Sequence, residues 1–208
     1  MQFPNARILI FAKAPEPGYV KTRLIPALGA EGAADLYMRL LDQTVSVVTA
    51  ANLAPVQLWC APDQEHLFFQ KLANQYDLSL HVQPDGDLGE RMYSAASLAL
   101  RVSEAVVLIG ADCPMLGSGH LSQSLLWLMN GDDAVIGPAE DGGYVLLGLS
   151  QANTALFENM PWGGGQVLSL TQERMAGLGW HWQELEPLWD LDRPADVERW
   201  KQSPDFLG

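Results

Sequence analysis

The sequence predicts an α/β protein built on a mostly parallel, mixed central sheet. Three observations carry that expectation. Short apolar runs rich in Ile, Val and Leu alternate with longer stretches of helical periodicity, the pattern of right-handed βαβ units. The apolar runs on either side of Glu140-Asp141-Gly142-Gly143 stand too close for a crossover helix, so an antiparallel strand enters there. No repeat, linker or low-complexity tract interrupts the 208 residues, which points to one domain, 1–208, around one sizeable core.

The elements follow in order. Residues 7–12 (Ile8, Leu9, Ile10 and Phe11 among them) read as a buried strand, ended by the cluster Pro15-Glu16-Pro17-Gly18. Ala34, Leu36, Leu40, Leu41, Val45, Val47 and Val48 give residues 31–51 the broad apolar face of a helix. A second strand spans 54–61, and Asp63 is placed to cap a helix holding Leu67, Phe68 and Leu72. A third strand at 78–82 leads through Gln83-Pro84-Asp85-Gly86-Asp87 into a helix that ends near Ser103. Residues 105–109 form the most apolar strand, stopped by Gly110-Ala111-Asp112-Cys113-Pro114. A helix at 119–129 precedes strands at 133–137 and 144–149. Helical stretches at 154–160 and 166–176, a late strand at 179–185 and a short Pro-started helix after Arg193 complete the chain.

A formal net charge of −13 argues against nucleic acid or an anionic membrane as partner, since both require a broad basic surface. Hydrophobic content of 48% with 18% charged residues suits a packed protein rather than a disordered one. Two cysteines, Cys60 and Cys113, cannot form a disulfide framework, which places the chain in a reducing cytoplasm. Neither a leader nor an apolar run of membrane-spanning length is expected.

Against that acidic background, four of the twelve basic residues (Arg7, Lys13, Lys21 and Arg23) crowd the first strand and its loop. Cations gathered in a loop that leads towards a helix start suit an anion such as phosphate, although solvated loop charges would look the same. In open parallel sheets ligands collect outside the carboxyl ends of the strands. Asp112 stands at such an end, where a carboxylate suits a hard divalent cation bridging to phosphates, or merely bonds its own turn. Asp190 and Asp192 are spaced to share one side of an extended segment and could complete a metal site, but Asp192 also stands where an N-cap would stand. Glu140-Asp141-Gly142-Gly143-Tyr144 reads equally as a ligand-lining turn and as a hairpin. His66, His81, His120 and His181 show no metal spacing, Cys113 has no His beside it in sequence, and Trp162 among glycines reads as a lid or stacking residue. No Gly-x-Gly-x-x-Gly follows the first strand, and Gly18-Tyr19-Val20-Lys21-Thr22 lacks the Gly that a P-loop places before Lys.

Taken together, Phe11-Ala12-Lys13-Ala14-Pro15-x-Pro-Gly18-x-x-Lys21-Thr22-Arg23-Leu24, Gly86-Asp-Leu-Gly89-x-Arg91-Met, Gly110-Ala-Asp112-Cys-Pro114 and Asp141-Gly-Gly-Tyr144 resemble a bacterial family of glycosyltransferase-like proteins. These are labelled radical-SAM/selenodomain-associated transferases, within the nucleotide-diphospho-sugar transferase superfamily. The resemblance runs from about Ile8 to Val197. It implies the glycosyltransferase A-type three-layer α/β/α sandwich, a nucleoside triphosphate or nucleotide-diphospho-sugar, and Mg²⁺ or Mn²⁺. Carried over by position, it places Lys13, Gly18, Lys21, Thr22 and Arg23 at phosphates and Gly89 and Arg91 at the base or ribose. Lys21, Arg23 and Asp112 would be catalytic; Asp112 with Asp190 or Asp192 would hold the metal. Asp141, Gly142, Gly143, Tyr144 and Trp162 would line the acceptor side. The chain departs from the family at Gly163-Gly164-Gly165, where many members carry a Ser/Thr-Pro segment. The implied activity is nucleotidyl or glycosyl transfer to a small acceptor. A nucleotide-binding regulatory or scaffold protein without turnover is the alternative.

Overall fold

The structure is a computed structural model that describes residues 1–203. One seven-stranded mixed sheet organises it, in the order β3-β2-β1-β4-β6-β5-β7. The strands are β1 (Ala6–Lys13), β2 (Val56–Ala61), β3 (Ser79–Val82), β4 (Ala105–Ile109), β5 (Ala134–Pro138), β6 (Tyr144–Leu149) and β7 (Trp182–Glu184). β1 pairs in parallel with β2 and β4, β2 with β3, and β5 with β7. Only β6 runs the other way, antiparallel to both β4 and β5, as the short Asp-Gly-Gly connection requires.

The helices are α1 (Ile25–Ala50), α2 (Leu67–Tyr76), α3 (Leu88–Leu100), α4 (Ser118–Met129), α5 (Val167–Gly177) and α6 (Pro194–Lys201). Alternate residues of the central strand serve opposite faces. Ile8 and Ile10 of β1 pack with Tyr37, Leu41 and Val45 of α1, with α2 and with Leu121 and Leu125 of α4. Leu9 faces the other way, into a second core with Met92, Ala95 and Ala96 of α3 and Met175 of α5. The result is the expected three-layer sandwich. A third, smaller cluster joins Leu24, Ala33 and Leu40 to Trp189, Leu191, Val197 and Trp200, and so fastens residues 189–200 against α1 and the residue before it.

Four local expectations are corrected. α1 begins at Ile25 rather than 31: Pro26 tolerates the first turn, and the chain bends at Gly29 (φ 71°, ψ 168°), so side-chain periodicity reports only the segment after the bend. α2 is capped by His66, whose Nδ1 accepts from the Phe68 N–H at 3.2 Å. Asp63 lies too far upstream of Leu67 to cap it and instead accepts from the Glu65 N–H at 2.8 Å. The stretch at 154–160 contains a single 3₁₀ turn, Thr154–Leu156, followed by Asn159 in the left-handed region. At α6 the cap position falls on Arg193; Asp196 reaches back to accept from the N–H groups of Asp192 (3.0 Å) and Arg193 (2.6 Å). That arrangement leaves the Asp192 carboxylate for other partners.

The histidine cap gives a direct check. His66→Ala is expected to lower the unfolding free energy by about 1 kcal/mol, the usual effect of losing a cap. Urea denaturation should show a smaller effect for Asp63→Ala.

Candidate functional site

The carboxyl ends of β1, β4 and β5 and the start of the reversed β6 all face one edge of the sheet, and a cavity of about 750 Å³ opens there. Most of the residues singled out in the sequence line it: Lys13, Lys21, Thr22 and Arg23 from the β1 loop, and Arg91 from α3. Asp112 joins from the end of β4, Asp141, Gly143 and Tyr144 from the turn before β6, and Trp162, Asp190 and Asp192 from the later loops. Gly18, Gly89 and Gly142 do not line it. Gly18 sits in the exposed loop at φ 87° with open space around it. The other two glycines lie beneath its wall.

The centre of the site is Lys21. Its backbone is left-handed (φ 47°, ψ 42°), a conformation that L-residues other than Gly seldom adopt, and it turns the side chain inward to 3% exposure. The ammonium lies 2.5 Å from the Leu191 carbonyl oxygen, 2.8 Å from Asp112 Oδ1 and 4.0 Å from Asp192 Oδ1. Asp112 Oδ1 is itself buried and accepts no regularly aligned hydrogen bond, so the ionic contact is what compensates it. The Leu191 N–H donates to the Asp112 carbonyl at 2.7 Å. This bond docks the late segment against the end of β4 and explains how carboxylates eighty residues apart meet. Arg23 pairs with the other oxygen of Asp192. Two of the expected phosphate cations are thus held by two of the expected metal carboxylates.

The cations left over are Lys13 and Arg91. Lys13 is exposed at the end of β1, with no ion-pair partner among the described residues; its backbone N–H donates to the Tyr37 hydroxyl at 2.9 Å. The Arg91 Nε donates to the Gly86 carbonyl at 2.8 Å, which orients the guanidinium without neutralising it. On the opposite side Asp190 is half-buried. Burial, then the nearby charges of Asp141 and Asp192, push its carboxyl above the usual carboxylate range, while Lys21 pulls it down less strongly. The cavity therefore carries four basic and four acidic side chains, segregated so that the uncompensated cations stand by β1 and α3.

The far wall is set by glycines. A Cβ on Gly89 would come within 2.8 Å of the Trp162 ring and 2.9 Å of the Phe157 carbonyl oxygen. A Cβ on Gly142 (φ 89°) would come within 2.3 Å of the Gly165 oxygen, so the 161–165 segment lies directly on both. The Trp162 ring stands edge-on to Tyr144, 6.5 Å between centroids.

The sequence reading missed Tyr37 and Gln83. Tyr37 sits on the buried face of α1, where its spacing looks like core; nothing in the sequence marks its hydroxyl. Gln83 donates both amide protons, to Ala12 O (3.0 Å) and Trp59 O (2.8 Å), tying the ends of β1 and β2 together. A buried polar residue at a strand end is a readable signal. Three of the histidines that showed no metal spacing have structural partners: His66 caps α2, His81 stacks on Trp59 at 4.9 Å, and the His120 Nδ1 accepts from the Gly117 N–H at 3.0 Å. Burial raises the Cys113 thiol to about 11 and the Cys60 thiol to about 12, which keeps both protonated near neutrality.

Two outcomes follow from this geometry. Because the folded state raises the Asp190 carboxyl, it binds a proton that the unfolded chain has released, and stability falls as pH rises through that window. Asp190→Asn is expected to stabilise the protein at neutral pH, with the gain vanishing below the ordinary carboxyl range; thermal melts across pH would read it. Gly142→Ala should destabilise by about 2 kcal/mol through its left-handed φ and the clash with Gly165, while Gly163→Ala, at positive φ but in open space, should lose less on denaturant titration.

Residues 44–164 match the model of a family described as "Uncharacterized protein conserved in bacteria (DUF2064)". That span holds Asp112, the Asp141–Tyr144 turn and Trp162. A crystal structure from Desulfovibrio desulfuricans G20, described as a "putative nucleotide-diphospho-sugar transferase", is 30% identical over 97% of this chain and 92% of its own, with a TM-score of 0.85. A cytidylyltransferase from Leptospira borgpetersenii superposes at TM-score 0.61 with 15% identity, covering 98% of this chain and 90% of its own. A 4-diphosphocytidyl-2C-methyl-D-erythritol synthase from Anaerococcus prevotii does so at 0.60 with 11% identity, covering 94% and 96%. The latter two share the fold alone. No curated protein matches the sequence. With the family model spanning more than half of it and a relative at 30% identity spanning nearly all of it, the chain belongs to the bacterial DUF2064 family and has the nucleotide-diphospho-sugar transferase fold.

Proposed function

We propose that this protein is a transferase that holds a nucleoside triphosphate or a nucleotide-diphospho-sugar by its phosphates and passes a nucleotidyl or glycosyl group to a small acceptor. The observation that carries the reading is the split charge of one cavity. Lys13 and Arg91 line it without an ion-pair partner among the described residues, while the carboxylates of Asp112, Asp141, Asp190 and Asp192 line the same cavity, two of them paired with Lys21 and Arg23. The description of the Desulfovibrio relative supports the same class of chemistry.

In this reading Lys13, Thr22 and Arg23 engage phosphate oxygens, and Arg91 reaches the nucleoside end. A divalent cation, Mg²⁺ or Mn²⁺, fits the donor set. Asp112, Asp190 and Asp192 offer hard carboxylate oxygens, and positive charge already collects there: Lys21 lies on Asp112 Oδ1 and Arg23 on Asp192. Among the described residues no three acidic, His or Cys groups converge tightly enough to hold an ion alone. Asp112 with Asp190 or Asp192 would hold such an ion, and its chemistry there would be electrostatic neutralisation of phosphate charge. The protein's own contribution is fixed charge: Lys21 and Arg23 oppose the negative charge that grows on the phosphates.

Asp141, Gly143, Tyr144 and Trp162 form the acceptor wall, with Gly142 behind it under Gly165. Asp141, the carboxylate of that wall, disfavours an anionic acceptor, so a hydroxyl or another neutral nucleophile suits it better.

A thermal-shift panel of GTP, CTP, UTP and UDP- or GDP-sugars, with and without Mn²⁺, tests the reading. At least one nucleotide should stabilise the protein in a Mn²⁺-dependent manner. Lys13→Ala and Arg91→Ala should each weaken it by about 1.5–3 kcal/mol, the range for charged hydrogen bonds. No shift with any nucleotide would overturn the proposal; binding without product release across neutral acceptors would assign the chain to nucleotide-binding proteins without turnover.

A further inference from the structure

The reading above asks for a cation beside Asp112 and for a lysine at the phosphates, and Lys21 stands in the first place rather than the second. Its ammonium is enclosed by a carbonyl oxygen at 2.5 Å and a carboxylate oxygen at 2.8 Å, with a second carboxylate oxygen at 4.0 Å. Neutral and anionic hard oxygens around a compact positive charge are the surroundings that a divalent ion takes in proteins. A lysine ammonium, unlike a guanidinium, is compact enough to imitate such an ion. The seat is also built rather than incidental. The left-handed backbone at Lys21 turns its side chain inward against local preference, and the enclosed carboxylate oxygen has no regularly aligned hydrogen bond from any other group.

We infer that the Lys21 ammonium is a resident cation that holds the divalent-ion seat in the ligand-free chain and yields it when the ion enters. This rests on the cation-assisted reading of the site and adds a positioning role to one residue of it. A divalent ion seated on the same oxygens would stand at contact distance from the ammonium, where the two positive charges repel. Ion entry would thereby push the ammonium towards the open cavity. Lys21 already lines the cavity, and its four-carbon stem lets the head swing from Asp112 to the space where phosphates would lie. Occupation of the seat and delivery of a phosphate-binding cation become one event. Until then the carboxylates stay compensated, and the free protein holds metal weakly.

The probe is Mn²⁺ alone, titrated into the full chain without nucleotide and followed by the electron paramagnetic resonance of free Mn²⁺. Lys21→Met, which keeps the length and removes the charge, should bind one Mn²⁺ about tenfold more tightly than the natural chain, within the usual range of coupling between two sites. Adding Asp112→Asn should abolish the gain. A lysine with a merely structural role would leave Mn²⁺ affinity unchanged or lower in Lys21→Met, and either result overturns the inference. Reductive methylation of the natural chain, read by peptide mass spectrometry, covers a variant that fails to fold. Lys21 should be protected relative to Lys13 without metal and should become labelled at saturating Mn²⁺; bound Mn²⁺ with Lys21 still protected overturns the inference. Neither readout involves nucleotide or turnover, so either can fail while the nucleotide panel succeeds, and the reverse.

Discussion

A buried ammonium and the oxygens around it hold the candidate site together. Lys21 belongs to the loop after β1, Asp112 to the turn after β4, and Leu191 and Asp192 to the segment before α6. A charge removed from water must be compensated by close, well-placed partners, or its burial destabilises the fold. Lys21 meets that condition only when three distant stretches of chain converge. The Leu191 N–H to Asp112 carbonyl bond and the apolar cluster of Leu24, Leu40, Trp189, Leu191 and Trp200 bring them together. Hydrophobic packing supplies the attraction, and the ion cage sets the register.

The opposite wall depends on the absence of side chains. Gly89 and Gly142 let the 161–165 segment rest on α3 and on the turn before β6 at distances that a methyl group would forbid. The run Gly163-Gly164-Gly165, which departs from the resemblance, joins that same contact through Gly165. The Leu168 N–H then donates to the Gly142 carbonyl at 2.9 Å and leads the chain into α5. One wall is thus fixed by charge and the other by close backbone approach, and the cavity is the gap between two different kinds of constraint.

Much of this was legible because strands bury continuous apolar runs. Residues 105–109 and 144–149 read directly, since β4 and β6 sit inside the sheet with both faces covered. Edge elements were less clear: β7 keeps three residues of a predicted seven, having a pairing partner on one side only. Helix starts failed where capping chemistry departed from the common residues, as at His66, or where a bend hid the first turn, as at Gly29. The site residues were found from clustering of charge and from glycines beside carboxylates. What single positions could not carry was pairing. Lys21 and Arg23 read as phosphate ligands and Asp112 and Asp192 as metal ligands, with nothing in their spacing to say that they would meet each other.

That pairing changes how an acidic protein can attract an anion. With four basic and four acidic groups around the cavity, no net attraction draws a phosphate in as a whole. Field strength comes from unequal pairing: Lys13 of β1 and Arg91 of α3 lack ion-pair partners among the described residues, whereas Lys21 and Arg23 have them. Lys21 and Arg23 are partly spent on Asp112 and Asp192, which leaves Lys13 and Arg91 as the cations of the cavity without an ion-pair partner among the described residues. In the proposed reading, a nucleotide that brings a divalent ion would free Lys21 from Asp112, and the contacts that close the fold would favour that pair over either component alone.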